Sequence, residues 1–184
     1  MNVYDFDKTI YDGDSSFDFC LFCIRKKPSL LKFFPTQIFG CIKFALGKTD
    51  LTQLKESLFS FLCGIENVNA LVKEFWDKNE KRIKKWYIKK DDDVIISASP
   101  EFLLVEICRR LGIKSLIATK MDEKMGKISG KNCKGEEKVA RFSQGYELSA
   151  IDKFYSDSLS DLPLARLARK AYLVKKEKVS EWKF

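Results

Sequence analysis

Asn2-Val3-Tyr4-Asp5-Phe6-Asp7-Lys8-Thr9 joins a short apolar run to an acidic loop. That combination suits a buried strand whose carboxyl end meets a site, as at the ligand edge of parallel α/β sheets. In extended backbone, residues i and i+2 point the same way, so Asp5 and Asp7 can both face that site. The strands to pair with it are expected far along the chain. Val94-Ile95-Ile96 is a β-branched run, and 115–119, 153–156 and 172–174 also read as strands. Between them lie expected helices, the first with Ser99 as N-cap, Pro100 as its first residue and Gly112 closing it. Two more are expected over 135–143 and 162–170. Strands alternating with helices imply a parallel sheet with right-handed crossovers.

Residues 13–91 differ in character. Asp14-Ser15-Ser16 can cap a helix running to Lys26, and Pro28 ends it. Leu51, Leu54, Leu58 and Phe61 recur at helical spacing, as do Val68, Leu71, Val72, Phe75, Trp76 and Ile83. The stretch from Leu30 to Leu46 is apolar but interrupted by Lys32, Pro35, Gly40 and Lys43, so it does not read as a membrane span. Its phenylalanines, Phe33, Phe34, Phe39 and Phe44, are expected to lie inside a small helical bundle; contact with a membrane surface is the less favoured alternative. The expected organisation is an α/β core over 1–12 and 92–184, interrupted after its first strand by helices over 13–91. Asp91-Asp92-Asp93 reads as a polar linker.

Bulk properties narrow the function. A chain of 184 residues with 45% hydrophobic residues can bury a core. It contains no histidine, which excludes imidazole-dependent triads and histidine metal sites. Six irregularly spaced cysteines do not form a disulfide framework, and Cys20 and Cys23 sit in an apolar helix where buried thiols are expected. The opening residues lack the basic and apolar regions of a secretory signal, so a cytoplasmic location is expected. The net charge of +8 suits an anionic partner. The basic run from Lys81 to Lys90 is read as a solvated helix face, and without a recognition motif nucleic acid is not an expected partner.

Four polar clusters follow expected strand ends: Asp5 to Thr9, Ser97 to Ser99, Lys134 to Lys138, and Asp157 to Asp161. In a parallel sheet these converge on one crevice. Several carboxylates cannot share a small site without a cation to neutralise them, and all-oxygen ligation favours a hard ion, hence Mg²⁺. A hydroxyl and a lysine suit phosphate oxygens. One aspartate can then act as nucleophile and another as acid and base.

Asp5-Phe6-Asp7-Lys8-Thr9-Ile10 resembles the DxDxT motif of the haloacid dehalogenase-like phosphatases. Ser97 is similar to the family's second motif, Lys138 to its third, and Asp157 with Asp161 to its acidic fourth. The resemblance spans nearly the whole chain, because the helical block falls where that family carries a cap. It implies a Rossmann-like parallel core with an inserted helical cap. Within the family, Asn132 to Val139 and Tyr155 to Ser158 are similar to the phosphoserine phosphatase-like branch and to the phosphatidylglycerophosphatase C type. The chain departs from phosphoserine phosphatases at Ala98-Ser99, where glycines are usual, and at Asp14, where a longer Glu reads substrate.

The resemblance also implies roles. Asp5 attacks phosphorus and Asp7 serves as acid and then base. Thr9 orients the loop. Ser97, the amide of Ala98 and Lys138 hold phosphate, with Lys134 as competitor for the lysine role. Mg²⁺ is bound by Asp5, Asp157 and the backbone carbonyl of Asp7, with Asp161 behind them. The expected substrate is a small soluble phosphometabolite, phosphoserine-like. The alternatives are a lipid head-group phosphate at the membrane surface and a non-catalytic binding module.

Overall fold

The structure, a computed structural model, describes residues 1–183. The opening apolar run forms β1 (Asn2–Tyr4). The chain then leaves the sheet for α1 (Ser15–Lys26), α2 (Phe34–Ala45), α3 (Leu51–Leu58) and α4 (Val68–Asn79) before returning as β2 (Val94–Pro100). Strands and helices alternate thereafter: α5 (Glu101–Leu111), β3 (Ser115–Thr119), α6 (Glu136–Phe142), β4 (Lys153–Ser156), α7 (Leu162–Ala165), β5 (Lys170–Lys175) and β6 (Lys178–Glu181). The strand order is β3-β2-β1-β4-β5-β6, parallel except for β6 against β5. This is the expected α/β class. From β1 the chain builds outward to β3 on one side and then crosses to β4 on the other. The switch point therefore lies beside β1, where a crevice opens at the strands' carboxyl ends.

Alternation along the strands sorts the side chains into two cores. Val3 pairs with Val94 and Phe154 and, with Ile96, Phe142 and Leu164, is buried on one face. Tyr4 and Ile95 point to the other face and pack with Phe6, Phe75, Trp76 and Leu103. Tyr4, Tyr155 and Tyr172 are in register across three strands. Their rings stack at 4.6 and 4.8 Å, a cross-strand ladder that fixes the pairing.

The inserted helices follow local signals. Asp14 caps α1 by accepting from the Phe17 amide at 3.0 Å. Asp50 and Gln53 form a reciprocal capping box on α3, and Asn67 caps α4. The helix implied by the spacing of Leu51 to Phe61 stops at Leu58 and tightens into a 3₁₀ segment, Phe59–Gly64. Helix α2 buries only Gln37 and Gly40. A Cβ at Gly40 would lie 2.4 Å from Ser57 Cβ, so glycine lets α2 and α3 meet backbone to side chain. The consequence overturns an expectation. Phe33 is half-buried, but Phe34, Phe39 and Phe44 are exposed and do not form the interior of a bundle.

Other expectations change for definite reasons. The basic run is not a solvated helix face. It crosses a short 3₁₀ turn, Glu80–Arg82, and Lys84 is buried, donating to the carbonyls of Lys8 at 2.5 Å and Lys176 at 2.6 Å. Asp93 is no linker residue: it is buried and accepts from Asn2, Tyr87 and the Lys90 amide. Pro100, not Ser99, occupies the N-cap of α5, while Gly112 closes that helix at φ 68° as expected. The helix expected to reach Lys170 is one turn long, because β5 begins there. Strand β6 was not anticipated. Its hairpin turns at Lys176 with φ 54°, a left-handed position usually signalled by Gly or Asn.

Trp76 joins the inserted helices to the sheet domain. It is fully buried against Phe6 and Tyr11, and its Nε1 donates to the Leu103 carbonyl of α5 at 2.7 Å. Trp76→Ala should therefore lower unfolding free energy by about 3–5 kcal/mol in urea titration. Trp76→Phe, which keeps most of the packing, should cost clearly less.

Candidate active site

The Asp5 amide extends the β1–β4 ladder by one bond, donating to the Tyr155 carbonyl at 2.8 Å. The backbone then turns sharply. Ile10 and Tyr11 amides both return to the Phe6 carbonyl, and Lys8 takes a left-handed φ of 58°. Phe6, Ile10 and Tyr11 are fully buried, so apolar packing anchors the loop. Asp5 and Asp7 consequently emerge at the crevice beside the switch point, and Lys8 also lines it.

Lys138 lies almost fully buried in α6. Its Nζ stands 2.7 Å from Asp5 Oδ1 and 2.7 Å from Asp161 Oδ2. Burial works against its charge, but the two carboxylates outweigh that and raise its proton affinity above the ordinary lysine range. Asp5 also accepts from Thr9 Oγ1 at 3.3 Å, and Asp161 from Ser156 Oγ at 2.7 Å. Asp5 is nevertheless pushed up to about 7, by burial first, with Lys138 opposing and Asp161 adding to the rise. One ammonium shared between two buried carboxylates leaves this site short of positive charge.

Asp7 is held from the opposite direction. Its Oδ1 accepts from the Ser15 amide at the start of α1 at 2.8 Å, and its Oδ2 accepts from Ser99 Oγ at 2.5 Å. Burial and the neighbouring Asp14 carry it to about 6 against these hydrogen bonds. Ser99, expected to cap a helix, instead orients Asp7 and touches Ser16 Oγ at 2.8 Å. Ser97 is buried and accepts from the Ser99 amide at 3.1 Å.

Asp5, Asp7, Ser97, Ala98, Lys138, Asp157 and Asp161 line one polar cavity of about 180 Å³. Asp14 and Lys134 also reach it, but Lys134 is exposed and Asp14 is engaged as the α1 cap. Thr9 lies behind Asp5, fully buried. The half-buried Asp157 is raised by burial, with Lys8 opposing. Sequence reading placed Ser99 in the converging cluster without its contact to Asp7, and missed Ser15 at the site. It also missed Lys55 of α3, which donates to the Ala98 carbonyl and, at 3.2 Å, to Asn132 Oδ1. No spacing rule flags a lone helix lysine for such a contact.

Among the described residues, no three carboxylate or thiolate side chains form a ready metal cage, and Asp161 faces Lys138. The donors still suit a hard divalent ion. Mg²⁺ characteristically uses one or two carboxylates and leaves the other positions to water and phosphate. Asp5 and Asp157 share a cavity whose metal-ligating side chains are all oxygen donors, and burial raises the proton affinity of both.

A second cavity, about 820 Å³, adjoins the first, sharing Asp7, Asp14, Ala98 and Lys134, and is walled mainly by apolar side chains of α1, α2 and α3. Phe17, Ile38, Ile42, Leu54 and Leu58 are among them.

Lys138→Met should test the electrostatics. It leaves Asp5 and Asp161 buried without their cation, a loss of about 3–5 kcal/mol of stability near neutral pH. A carboxyl with a raised folded pKa contributes stability at low pH that is lost as pH rises through that pKa. Since Asp5 already lies near 7 with the lysine present, the deficit in urea titrations should be larger at pH 8 than at pH 5.

Comparison with known proteins accords with this geometry. A histidinol-phosphatase of Neisseria meningitidis serogroup C (strain 8013) is 26% identical across 91% of this chain and 86% of its own. A protein of unknown function from Bordetella pertussis Tohama I shares the fold with a TM-score of 0.74 at 21% identity, covering 93% of this chain and 87% of that one. A phosphoserine phosphohydrolase-like protein from Francisella tularensis subsp. tularensis SCHU S4 gives 0.55 at 18% identity, covering 93% and 86%. The family model for haloacid dehalogenase-like hydrolases matches residues 3–166, the whole of the insertion and the α/β core as far as α7. The chain belongs to the haloacid dehalogenase-like hydrolases.

Proposed function

We propose that the protein is a Mg²⁺-dependent phosphomonoesterase that forms a phospho-aspartate on Asp5. The observation that carries this reading is the ion-paired Asp5, backed by Lys138 at 2.7 Å, opening into the same cavity as a separately oriented Asp7. Asp5 Oδ attacks phosphorus, the bond from phosphorus to the ester oxygen breaks, and Asp7 gives its proton to the departing alkoxide. In the second half, Asp7 takes a proton from water, the resulting hydroxide adds to phosphorus, and the bond to Asp5 breaks. Inorganic phosphate leaves and Asp5 is restored. A side chain with a pKa of about 6 is suited to gaining and losing a proton near neutrality. Ser97, the Ala98 amide and Lys138 would hold phosphate, with exposed Lys134 as the weaker candidate. Asp5, Asp157 and the Asp7 carbonyl would hold Mg²⁺, with Asp161 supporting through Lys138. When bound, the ion supplies positive charge that keeps Asp5 ionised and neutralises phosphate oxygens. Residues 13–91 would act as the cap, Asp14 standing on the substrate side. The six unpaired thiols suit a reducing, cytoplasmic setting.

With p-nitrophenyl phosphate, Asp5→Asn should abolish turnover, and EDTA should do the same reversibly, Mg²⁺ restoring it. Beryllium fluoride, which mimics an acyl phosphate, should attach at Asp5. Undiminished activity in Asp5→Asn would remove the mechanism.

Two substrate classes fit this chemistry. A small phosphoserine-like metabolite accords with the names of the relatives. The large apolar cavity beside Asp7 favours the second, a phosphomonoester with an apolar leaving group such as a lipid. Each buried methylene contributes roughly 0.8 kcal/mol. Across n-butyl, n-octyl and n-dodecyl phosphate, the lipid reading expects kcat/KM to rise by at least about tenfold in total. A flat series would leave the small polar substrate as the reading.

A further inference from the structure

We infer that α2 is a peripheral docking element that lies on an anionic phospholipid bilayer. The helix presents an apolar face to solvent. Phe34, Ile38, Phe39, Ile42 and Leu46 are 52, 45, 58, 49 and 64% exposed. Large residues exposed together on one short element mark an interaction surface, whereas scattered ones do not. The flanking chemistry identifies the partner. Residues 19–49 contain Arg25, Lys26, Lys27, Lys32, Lys43 and Lys48 but no Asp or Glu, a local excess of six positive charges. Three of these ammonium groups stand over the segment's own aromatic rings, Lys26 at 5.9 Å from Phe22, Lys32 at 5.2 Å from Phe33 and Lys43 at 4.5 Å from Phe39. Apolar rings bordered by lysines match the boundary between acyl chains and anionic head groups.

Competing occupants fit less well. A second copy would set a basic segment against its like, with five charges on each side besides Lys26, which pairs with Glu74. Nucleic acid, whose bases can stack on Phe39, offers no apolar chains to cover Ile38, Ile42 and Leu46. The helix cannot span a bilayer, since no helix among the described residues is long and apolar enough to cross one. It must therefore lie in the interface. The cavity wall supplies an independent argument. Phe34, Ile38 and Ile42 belong both to the exposed face and to the apolar cavity that reaches Asp7 and Ser99. Docking by this face brings the cavity mouth to the membrane.

Sedimentation with vesicles tests the inference using the full chain. Vesicles of phosphatidylcholine alone are compared with vesicles containing about one-third phosphatidylglycerol. Binding to the anionic vesicles should be at least about tenfold stronger and should weaken as salt is raised. Phe39→Glu, on the outer face of α2 and not part of the cavity wall, should reduce binding to the neutral-vesicle level without shifting the melting temperature. Lys43→Glu should weaken it several-fold. Wild-type protein that stays in the supernatant with both vesicle types, or Phe39→Glu protein that binds like wild type, would overturn the inference. A wild-type dimer in gel filtration that Phe39→Glu dissolves would also overturn it, by assigning the face to a second copy. The readout needs no turnover, so its failure is separable from failure of the phosphatase reading.

Discussion

The buried ammonium of Lys138 is the contact on which the site's geometry depends. It joins three parts of the chain, the end of β1 through Asp5, the loop after β4 through Asp161, and α6 itself. Two carboxylates at these positions would repel each other and resist burial; the lysine makes their approach tolerable without neutralising both. Because burial outweighs this shared ammonium, Asp5 keeps a raised proton affinity. The same interaction thus closes the α/β core at its carboxyl edge and, under the proposed function, prepares the crevice for a phosphate and its metal ion.

Around that contact the two halves of the loop are supported by different parts of the chain. Asp5 is fixed by the sheet, through its amide on Tyr155 and its carboxylate on Lys138. Asp7 is fixed by α1 and the end of β2, through the Ser15 amide and the Ser99 hydroxyl. The two aspartates stand two residues apart yet have separate environments, one ion-paired and the other hydrogen-bonded. Under the proposed mechanism, that separation lets two similar carboxyl groups take different parts in one reaction.

Much of this was legible in the sequence, for physical reasons. Asp5 and Asp161 lie just beyond strand-like runs, and in a parallel sheet such positions have one edge to go to; Lys138, inside a helix, was singled out by the family resemblance. The tyrosine ladder and the buried Val3, Val94 and Phe154 follow from period-two patterning. What stayed hidden depended on contacts that no local rule encodes. Ser99 before Pro100 has the pattern of a helix cap, and only the fold brings Asp7 within reach of its hydroxyl. Lys84 sits in a run of solvated charges, yet two distant carbonyls capture it. Strand β6 turns at a lysine where a glycine or asparagine would have announced it. For α2, composition suggested an interior; Gly40 and Gln37 turned inward instead and left the phenylalanines outside.

The Ser15 amide on Asp7 bears on how such proteins can be recombined. Helix α1 begins the inserted block, yet its first residue also aims a side chain of the sheet domain's loop. The insertion is therefore not a freely exchangeable module. A chimaera that swaps residues 13–91 for the equivalent block of a relative would inherit a new pocket, but it would also have to rebuild the donor behind Asp7. Splice points placed after the first turn of α1 would spare that donor.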